Sequence, residues 1–130
     1  MIAEDVELKE GETVLREGEP AKALFFLLQG GVDLYFAVDN GSSQQGRKEV
    51  LVCEINTGEP FGISALIEPH ILTATVRSSR PSRVIQFDTK ALYKLLEQDQ
   101  KLENILLRQM ARIAFERLHA TRVLLAAAWA

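Results

Sequence analysis

The chain has 130 residues, of which 47% are hydrophobic and 25% are charged, a balance that favours one folded domain with a single core and excludes a disordered chain. Its formal net charge of −3 excludes a general binder of polyanions, and no run of about 20 apolar residues predicts a membrane-spanning helix. One cysteine and an acidic N-terminus without a signal-peptide pattern predict a reducing, cytoplasmic location.

The first part of the chain is patterned as short strands separated by glycine and proline turns. Residues 6–9 alternate apolar and charged side chains, which is the period of a half-buried strand. Residues 23–28 are continuously apolar and predict a buried strand, while residues 32–38 alternate again. Gly30 and Gly31 separate these last two strands and predict a tight hairpin between them.

The strand pattern continues through the middle of the chain. Residues 39–48 are polar and contain glycine, so they predict a surface loop between two antiparallel strands that is either mobile or an interaction site. The second of these strands is expected at residues 49–55. Residues 77–82 then predict a turn, and residues 83–88 predict the final strand.

After Asp88 the apolar spacing changes from the period of a strand to that of a helix. Asp88 or Thr89 can cap a first, short helix, and a break is expected near Asp99. A second helix over residues 101–127 would be about 40 Å long at 1.5 Å per residue. We therefore expect one domain with two parts, a strand-rich part at residues 1–88 and C-terminal helices at residues 89–130.

The long helix carries more apolar surface than one small barrel can cover. We therefore expect it to meet another surface, either a second copy of the chain or a different protein. A homodimer is the simplest arrangement, because one apolar stripe then serves both copies. The candidate interface residues are Leu102, Ile105, Leu106, Gln109, Ile113, Arg117, Ala120, Leu124 and Ala127.

The segment at residues 60–76 is the centre of a pattern that extends along most of the chain. It reads Phe61-Gly62, then Ala65-Leu66, then Ala74-Thr75-Val76, and the turn Glu17-Gly18-Glu19-Pro20 lies upstream. In order and spacing these pieces resemble the cyclic nucleotide-binding domain family over about residues 8–125. The resemblance implies an α+β, mainly β fold: an eight-stranded double-sheet β-roll, jelly-roll-like, followed by a short helix and a long C-terminal helix.

Two charged positions of the family's phosphate-binding cassette are apolar in this chain. The resemblance implies a Glu for the ribose hydroxyl where Ile63 stands, and an Arg for the cyclic phosphate where Leu72 stands. Losing a buried ion pair costs about 3–5 kcal/mol, several hundred- to several thousand-fold in affinity. The sequence therefore predicts that cAMP and cGMP do not bind. Arg77 follows the strand after position 72 and is expected to lie outside the pocket, whereas His70, near the loop tip before that position, is a weak candidate to replace the missing arginine.

Two interpretations of the pocket remain open. Apolar side chains at Ile63, Leu66, Ile67, Ile71 and Leu72 either close it as core, or leave an apolar pocket for a different small molecule. Backbone amides and the Thr73 hydroxyl would still be available to such a ligand. The candidate pocket residues are Phe61, Gly62, Ile63, Ser64, Ala65, Leu66, Leu72, Thr73 and Ala74.

The sequence offers no residue set for an enzyme, a metal or a cofactor. His70 and His119 are the only histidines, so no metal-binding cluster is expected. The serines have no histidine placed beside them by any motif, and Cys53 lies in a strand pattern, where cysteine is mostly a small buried residue. The cluster of Arg77, Arg80 and Arg83 predicts a solvated basic surface.

These observations predict a non-enzymatic regulatory or assembly module that associates through its C-terminal helix. A sensor domain for a different small ligand, or for a cyclic nucleotide bound in a non-standard way, is the alternative. Transcriptional regulators with this kind of domain carry a helix-turn-helix after the long helix. Because the sequence ends at Ala130, we expect no DNA binding by this chain.

Overall fold

The structure is a computed structural model that describes residues 3–39 and 47–129. Eight strands form two antiparallel sheets of four strands each, and two helices follow. The elements are β1 Ala3–Leu8, β2 Thr13–Leu15, β3 Ala23–Gln29, β4 Val32–Asp39, β5 Arg47–Ile55, β6 Pro60–Phe61, β7 Thr75–Ser78, β8 Ser82–Asp88, α1 Thr89–Gln98 and α2 Gln100–Ala128. The predicted class, an eight-stranded double-sheet roll followed by a short and a long helix, is confirmed.

The two sheets enclose the main core. The strand order is β1-β8-β3-β6 in the first sheet and β2-β7-β4-β5 in the second. Alternate residues of these strands point inward, as the two-residue period requires, and Phe25 stacks on Phe61 with 5.1 Å between ring centroids. The buried members of this core are Leu8, Ala23, Phe25, Leu27, Val32, Ile55, Phe61, Val76 and Val84.

The predicted hairpin between β3 and β4 is wrong. β3 pairs with β8 and β6, whereas β4 pairs with β5 and β7, so the turn at Gly30 and Gly31 carries the chain from one sheet to the other. A Cβ on Gly30 would lie 2.2 Å from the Ser82 Oγ, so the crossing needs glycine. The Ser82 hydroxyl oxygen accepts from the Gly31 N–H at 3.0 Å, which ties the crossing to β8.

The continuous apolar run of β3 has a structural reason. Phe25 and Leu27 point into the roll, while Leu24 and Phe26 point outward to the helices. A strand covered on both faces has no polar side, and this explains why its pattern does not alternate. Leu24 packs with Leu92, Leu96, Leu106 and Met110, so α1 and the first half of α2 cover the first sheet.

The antiparallel pairing of β4 with β5 is confirmed, and residues 40–46 of the predicted loop between them lie outside the described residues. The turn predicted from Arg77 begins later, because β7 continues through Ser78. Thr13 of β2 pairs with Arg77, and Val32 of β4 pairs with Ser78, so both edges of β7 are occupied there.

Both helices begin where their capping residues predict. The Asp88 carboxylate accepts from the Ala91 N–H at 3.1 Å, and the Asp99 carboxylate accepts from the Leu102 N–H at 3.0 Å. Each satisfies an amide that has no partner within the first turn of its helix. The predicted break near Asp99 is therefore the N-cap of α2.

Candidate ligand pocket and helix surface

A pocket of about 300 Å³ lies between the cassette segment, the second sheet and α2. Gly62 precedes a short 3₁₀ helix at Ile63–Leu66 and has a φ of 74°, in the left-handed region. A Cβ at this position would lie 3.1 Å from the Ala23 carbonyl oxygen, so glycine sets the entry to the cassette. The pocket is lined by Leu15, Leu34, Phe36, Val52, Gly62, Ile63, Ser64, Leu72, Thr73, Ala74, Val76, Ala114, Arg117, Leu118 and Thr121.

The far end of the cassette is held on the upstream Glu-Gly-Glu-Pro turn. The Leu72 N–H donates to the Glu19 carbonyl at 2.9 Å, and the Gly18 N–H donates to the Leu72 carbonyl at 2.8 Å. Pro20 and Ile71 also form a β-bridge. Two pieces of the sequence pattern that are about 50 residues apart thus meet in space and fix one wall of the pocket.

Six of the nine predicted pocket residues line the pocket: Gly62, Ile63, Ser64, Leu72, Thr73 and Ala74. The other three are used for packing. Phe61 is fully buried in the main core, and Ala65 is fully buried beside Leu72. Leu66 packs against the cluster between the first sheet and the helices.

The five apolar side chains that could close the pocket as core lie in different places. Leu72 is buried at 5% exposure, but Ile67 and Ile71 are 55% and 41% exposed and therefore point away from it. Ile63 leans toward the cluster formed with the helices while still contributing to the pocket wall. The volume of about 300 Å³ remains at the lower end of the range for small-molecule sites.

Arg117 of α2 is the pocket residue whose role the sequence did not reveal. Its side chain is half-buried and donates to the Pro60 carbonyl oxygen at 2.5 Å. Burial lowers the pKa of its guanidinium below the ordinary value, while Cys53, Glu59 and Glu116 act in the opposite direction. Cys53 is half-buried, and burial raises the pKa of its thiol although Arg117 favours the thiolate.

Comparisons with known proteins decide the family. The sequence model of the cyclic nucleotide-binding domain matches residues 5–99. The chain belongs to the cyclic nucleotide-binding domain family. A solved structure named "Putative Cyclic nucleotide-binding protein", from Geobacter metallireducens GS-15, is 31% identical with a TM-score of 0.71, over 91% of this chain and 80% of that one.

Two further relatives have regulatory or channel names. The sensor domain of the transcriptional regulator DNR from Pseudomonas aeruginosa is 26% identical with a TM-score of 0.67, over 85% of this chain and 73% of that one. A Rhodopseudomonas palustris protein named "Putative potassium channel protein" is 29% identical over 93 residues. That match covers 72% of this chain but only 21% of the channel protein, so the chain spans about a fifth of the length of this curated relative.

Ile63 and Leu72, which stand where the resemblance implies two charged cassette residues, both line the pocket. Arg77 does not replace the missing arginine, because it pairs with Glu49 at 3.1 Å and lies over the Tyr35 ring. His70 lies beside Tyr93, with its Nδ1 3.1 Å from the Ala65 carbonyl oxygen, and is outside the pocket.

The other arginines of the predicted basic cluster also have partners. Arg83 pairs with Asp5 at 2.5 Å, and Arg80 donates to the Gly30 carbonyl at 2.9 Å. With Arg77 on Glu49, each guanidinium thus has its own contact on the surface.

The predicted interface residues divide between the two sides of α2. Leu106 and Ile113 are buried, and Arg117 and Ala120 are half-buried, so these four face the chain's own roll. The remaining five are exposed: Leu102, Ile105, Gln109, Leu124 and Ala127. A partner therefore cannot use the whole predicted set in this conformation.

A second stripe on α2 is exposed along its whole length. Its residues are separated alternately by four and three positions, the spacing of a coiled-coil seam. Leu107, Leu118 and Leu125 are 45%, 46% and 59% exposed, although they are large and apolar. We call this set the exposed stripe: Leu107, Ala111, Ala114, Leu118, Thr121 and Leu125.

Within residues 3–39 and 47–129, no group of three or more His, Cys, Asp or Glu side chains could hold a metal ion. The described helices also include none that is long and apolar enough to cross a membrane.

Proposed function

We propose that the chain is a non-enzymatic regulatory module that forms a homodimer through the exposed stripe of α2. The observation that supports this proposal is the exposure of large apolar side chains at coiled-coil spacing on a helix already packed on its other side. Leaving such a stripe in water is unfavourable by roughly 25 cal/mol for each Å² of apolar surface.

A second copy of the chain is the occupant that fits best. Two parallel α2 helices related by a two-fold axis would bring each stripe residue opposite its own counterpart. Ala111 and Ala114 are small and would allow the helix backbones to approach, while Leu107, Leu118 and Leu125 would interdigitate. Membership of a family whose relatives include a regulator's sensor domain supports a regulatory role.

The experiment compares two pairs of substitutions that add the same charge. Ala111→Glu with Leu125→Glu places two carboxylates on the exposed stripe, and we expect a monomer by light scattering because desolvated like charges would face each other. Gln109→Glu with Leu124→Glu places the same two charges outside the exposed stripe, at interface positions that were predicted from the sequence. We expect this variant to remain a dimer. A dimeric stripe variant, or a wild-type monomer, would contradict the proposal.

The proposal includes a negative claim about ligands: the cassette does not bind cAMP or cGMP. Ile63 and Leu72 supply no charge and no side-chain donor, so the phosphate and ribose would lose their usual partners. At 1 mM nucleotide, a dissociation constant of 10 μM would stabilise the fold by about 2.7 kcal/mol. We expect no shift of the melting temperature, and a rise of several degrees would refute the claim.

A ligand sensor is the second candidate function. It is favoured by the open pocket, which takes Ala114, Leu118 and Thr121 of the exposed stripe as part of its wall. A ligand in this pocket would contact the residues that we propose for dimerisation, so occupancy and association would be coupled.

A further inference from the structure

We infer that the last two turns of α2 insert into the surface of an anionic lipid bilayer. The inserted part is a segment that we call the apolar tip: Val123, Leu124, Leu125, Ala126, Ala127, Ala128 and Trp129. This inference goes beyond the proposed function, and it requires neither a dimer nor a ligand in the pocket.

The apolar tip has no cover within the part of the chain that the structure describes. The last buried residue of α2 is Ile113, and every residue from Thr121 to Trp129 is exposed. Val123, Leu125 and Trp129 are 54%, 59% and 84% exposed. Because seven successive residues make almost two turns, apolar side chains surround the helix on all sides. A helix that is apolar all round is typical of an apolar environment.

The proposed dimer would cover only a small part of this surface. Leu125 is the one member of the apolar tip that belongs to the exposed stripe, and the other six residues lie outside it. A groove on a partner protein would likewise cover one side of the helix and leave the opposite side in water. A bilayer surface contacts all sides of an inserted segment at once, so a lipid surface is the occupant that fits best.

The charges beside the apolar tip favour a bilayer with anionic lipids. Of the 18 Asp and Glu residues, 14 lie in residues 1–88, and residues 89–130 contain seven of the 15 Lys and Arg against four acidic residues. No acidic residue follows Glu116, whereas Arg117 and Arg122 do. Arg122 is exposed, and none of the ion pairs among the described residues includes it. Its guanidinium is therefore available for a lipid phosphate.

The length of the apolar tip suits insertion into a bilayer surface. Seven residues extend about 10 Å at 1.5 Å per residue, the depth to which interfacial helices bury their apolar side. The hydrocarbon core of a bilayer is about 30 Å thick, so the tip would reach only its boundary. Trp129 has the amphipathic ring that is enriched at this boundary. Arg122 directly precedes the tip, which would place its guanidinium near the lipid phosphates.

The fluorescence of Trp129 tests the inference on the full chain, because this residue is the only tryptophan. Titration with vesicles of equal parts phosphatidylglycerol and phosphatidylcholine should shift its emission to the blue until binding saturates. Vesicles of phosphatidylcholine alone should bind at least about fivefold more weakly, the contribution of one arginine near an anionic surface. Co-sedimentation with the same vesicles measures the bound fraction independently of fluorescence.

A matched pair of substitutions tests the insertion of the tip. Val123→Glu puts a carboxylate into the tip and should weaken binding to the anionic vesicles at least about tenfold. Ile105→Glu is the control, because Ile105 is also 54% exposed and lies on the same side of α2, five turns away. This control should bind like the wild type. If Val123→Glu does not fold by circular dichroism, Val123→Ser removes the apolar side chain without adding charge and should still weaken binding severalfold.

A second pair tests the contact with the lipid phosphates. Arg122→Gln should weaken binding to the anionic vesicles about fivefold. Arg108→Gln should change little, because Arg108 lies about 21 Å further from the tip. In 0.1 M salt, charges are screened beyond about 10 Å.

Each outcome supports or contradicts the inference. Saturable binding that both tip variants weaken and both controls retain would support it. Neither a blue shift nor co-sedimentation at millimolar lipid, or equal losses in a variant and its control, would contradict it. A blue shift that grows with protein concentration without lipid, with particles larger than a dimer in light scattering, would show that other copies cover the tip and would also contradict it. A monomer that still binds the vesicles would refute the dimer proposal alone.

Discussion

Gly62 determines how the chain enters the cassette. Its φ of 74° turns the backbone from β6 into the 3₁₀ helix, and its missing Cβ leaves room for Leu15 and for the Ala23 carbonyl. Any L-residue here has to adopt the left-handed conformation, which costs roughly 1–2 kcal/mol. The same substitution also forces contacts that are tighter than ordinary packing allows.

Gly62→Ala should therefore lower the free energy of unfolding by more than the backbone penalty alone. Gly58→Ala is the matched control, because Gly58 has a similar φ of 87° but nothing within 4 Å of its added Cβ. Urea denaturation of both variants measures the difference. Equal losses would show that the neighbours of Gly62 yield without cost, which is not what the packing predicts.

Arg117 shows what local sequence cannot reveal. The residue is separated by more than 40 positions from the pocket residues of the roll, and its spacing on α2 matches an ordinary interface position. Only the docking of α2 against the roll brings the guanidinium to the Pro60 carbonyl. The cassette residues were predictable because they are contiguous in sequence. The position of Arg117 in the same pocket was not, because it depends on how α2 packs.

At the scale of elements, the pair β4 and β5 contains a repulsive contact. Asp33 lies directly opposite Glu54, and the pKa of Asp33 is raised above its ordinary value of 3.8 by burial first and by the charge of Glu54 second. A raised folded-state pKa means that stability is lost as the pH rises through it. At neutral pH this pair therefore weakens the sheet.

Asp33→Asn should increase the free energy of unfolding at pH 7 by about 0.2–1 kcal/mol, the size of a cross-strand side-chain interaction in a sheet. The gain should disappear when both proteins are compared at a pH below 3.8, where Asp33 of the wild type is protonated. Glu7→Gln is the control, because Glu7 lies opposite Arg83 and its removal should not stabilise. A less stable Asp33→Asn at pH 7 would contradict the electrostatic account.

The junction between α1 and α2 depends on one cap. Asp99→Ala leaves the Leu102 N–H without its acceptor, and we expect a loss of about 1 kcal/mol in the free energy of unfolding. Asp99→Asn keeps a capping oxygen and should retain most of the stability. If both variants lose the same amount in thermal or urea denaturation, the charge of Asp99 matters more than the cap.

Element patterns predicted some features and misassigned others for a clear reason. The alternation of β4 and the caps at Asp88 and Asp99 depend on neighbouring residues, so the sequence was sufficient for them. β3 was paired with the wrong strand because a continuous apolar run indicates burial on both faces but does not say against which neighbours. The crossing at Gly30 also resembles a hairpin turn in sequence.

The two stripes of α2 show the same limit. Leu106, Met110, Ile113 and Arg117 face the roll, and the exposed stripe begins one residue later at Leu107 with similar spacing. One residue is a rotation of about 100° on a helix. Two stripes with the same spacing can therefore lie on different sides of α2. Periodicity predicts an apolar helix with two sides to cover, but only the structure shows which side the roll covers.

At the scale of the whole molecule, the roll, the pocket and α2 form one connected system. The cassette supplies one wall of the pocket, and Ala114, Leu118 and Thr121 supply the other from the exposed stripe. A ligand and a second copy of the chain would thus share residues. This shared wall is the physical basis for the proposed regulatory role.

The central claim is that two copies pack through the exposed stripe with parallel α2 helices. Disulfide cross-linking tests it directly, because a disulfide requires Cα atoms within about 7 Å of each other. In a Cys53→Ser background, Ala111→Cys should form a covalent dimer under mild oxidation at micromolar concentration, since stripe residues meet their own counterparts across the two-fold axis. Gln109→Cys, on the opposite side of α2, should remain monomeric on a non-reducing gel. Cross-linking of Gln109→Cys with none at Ala111→Cys would contradict the account.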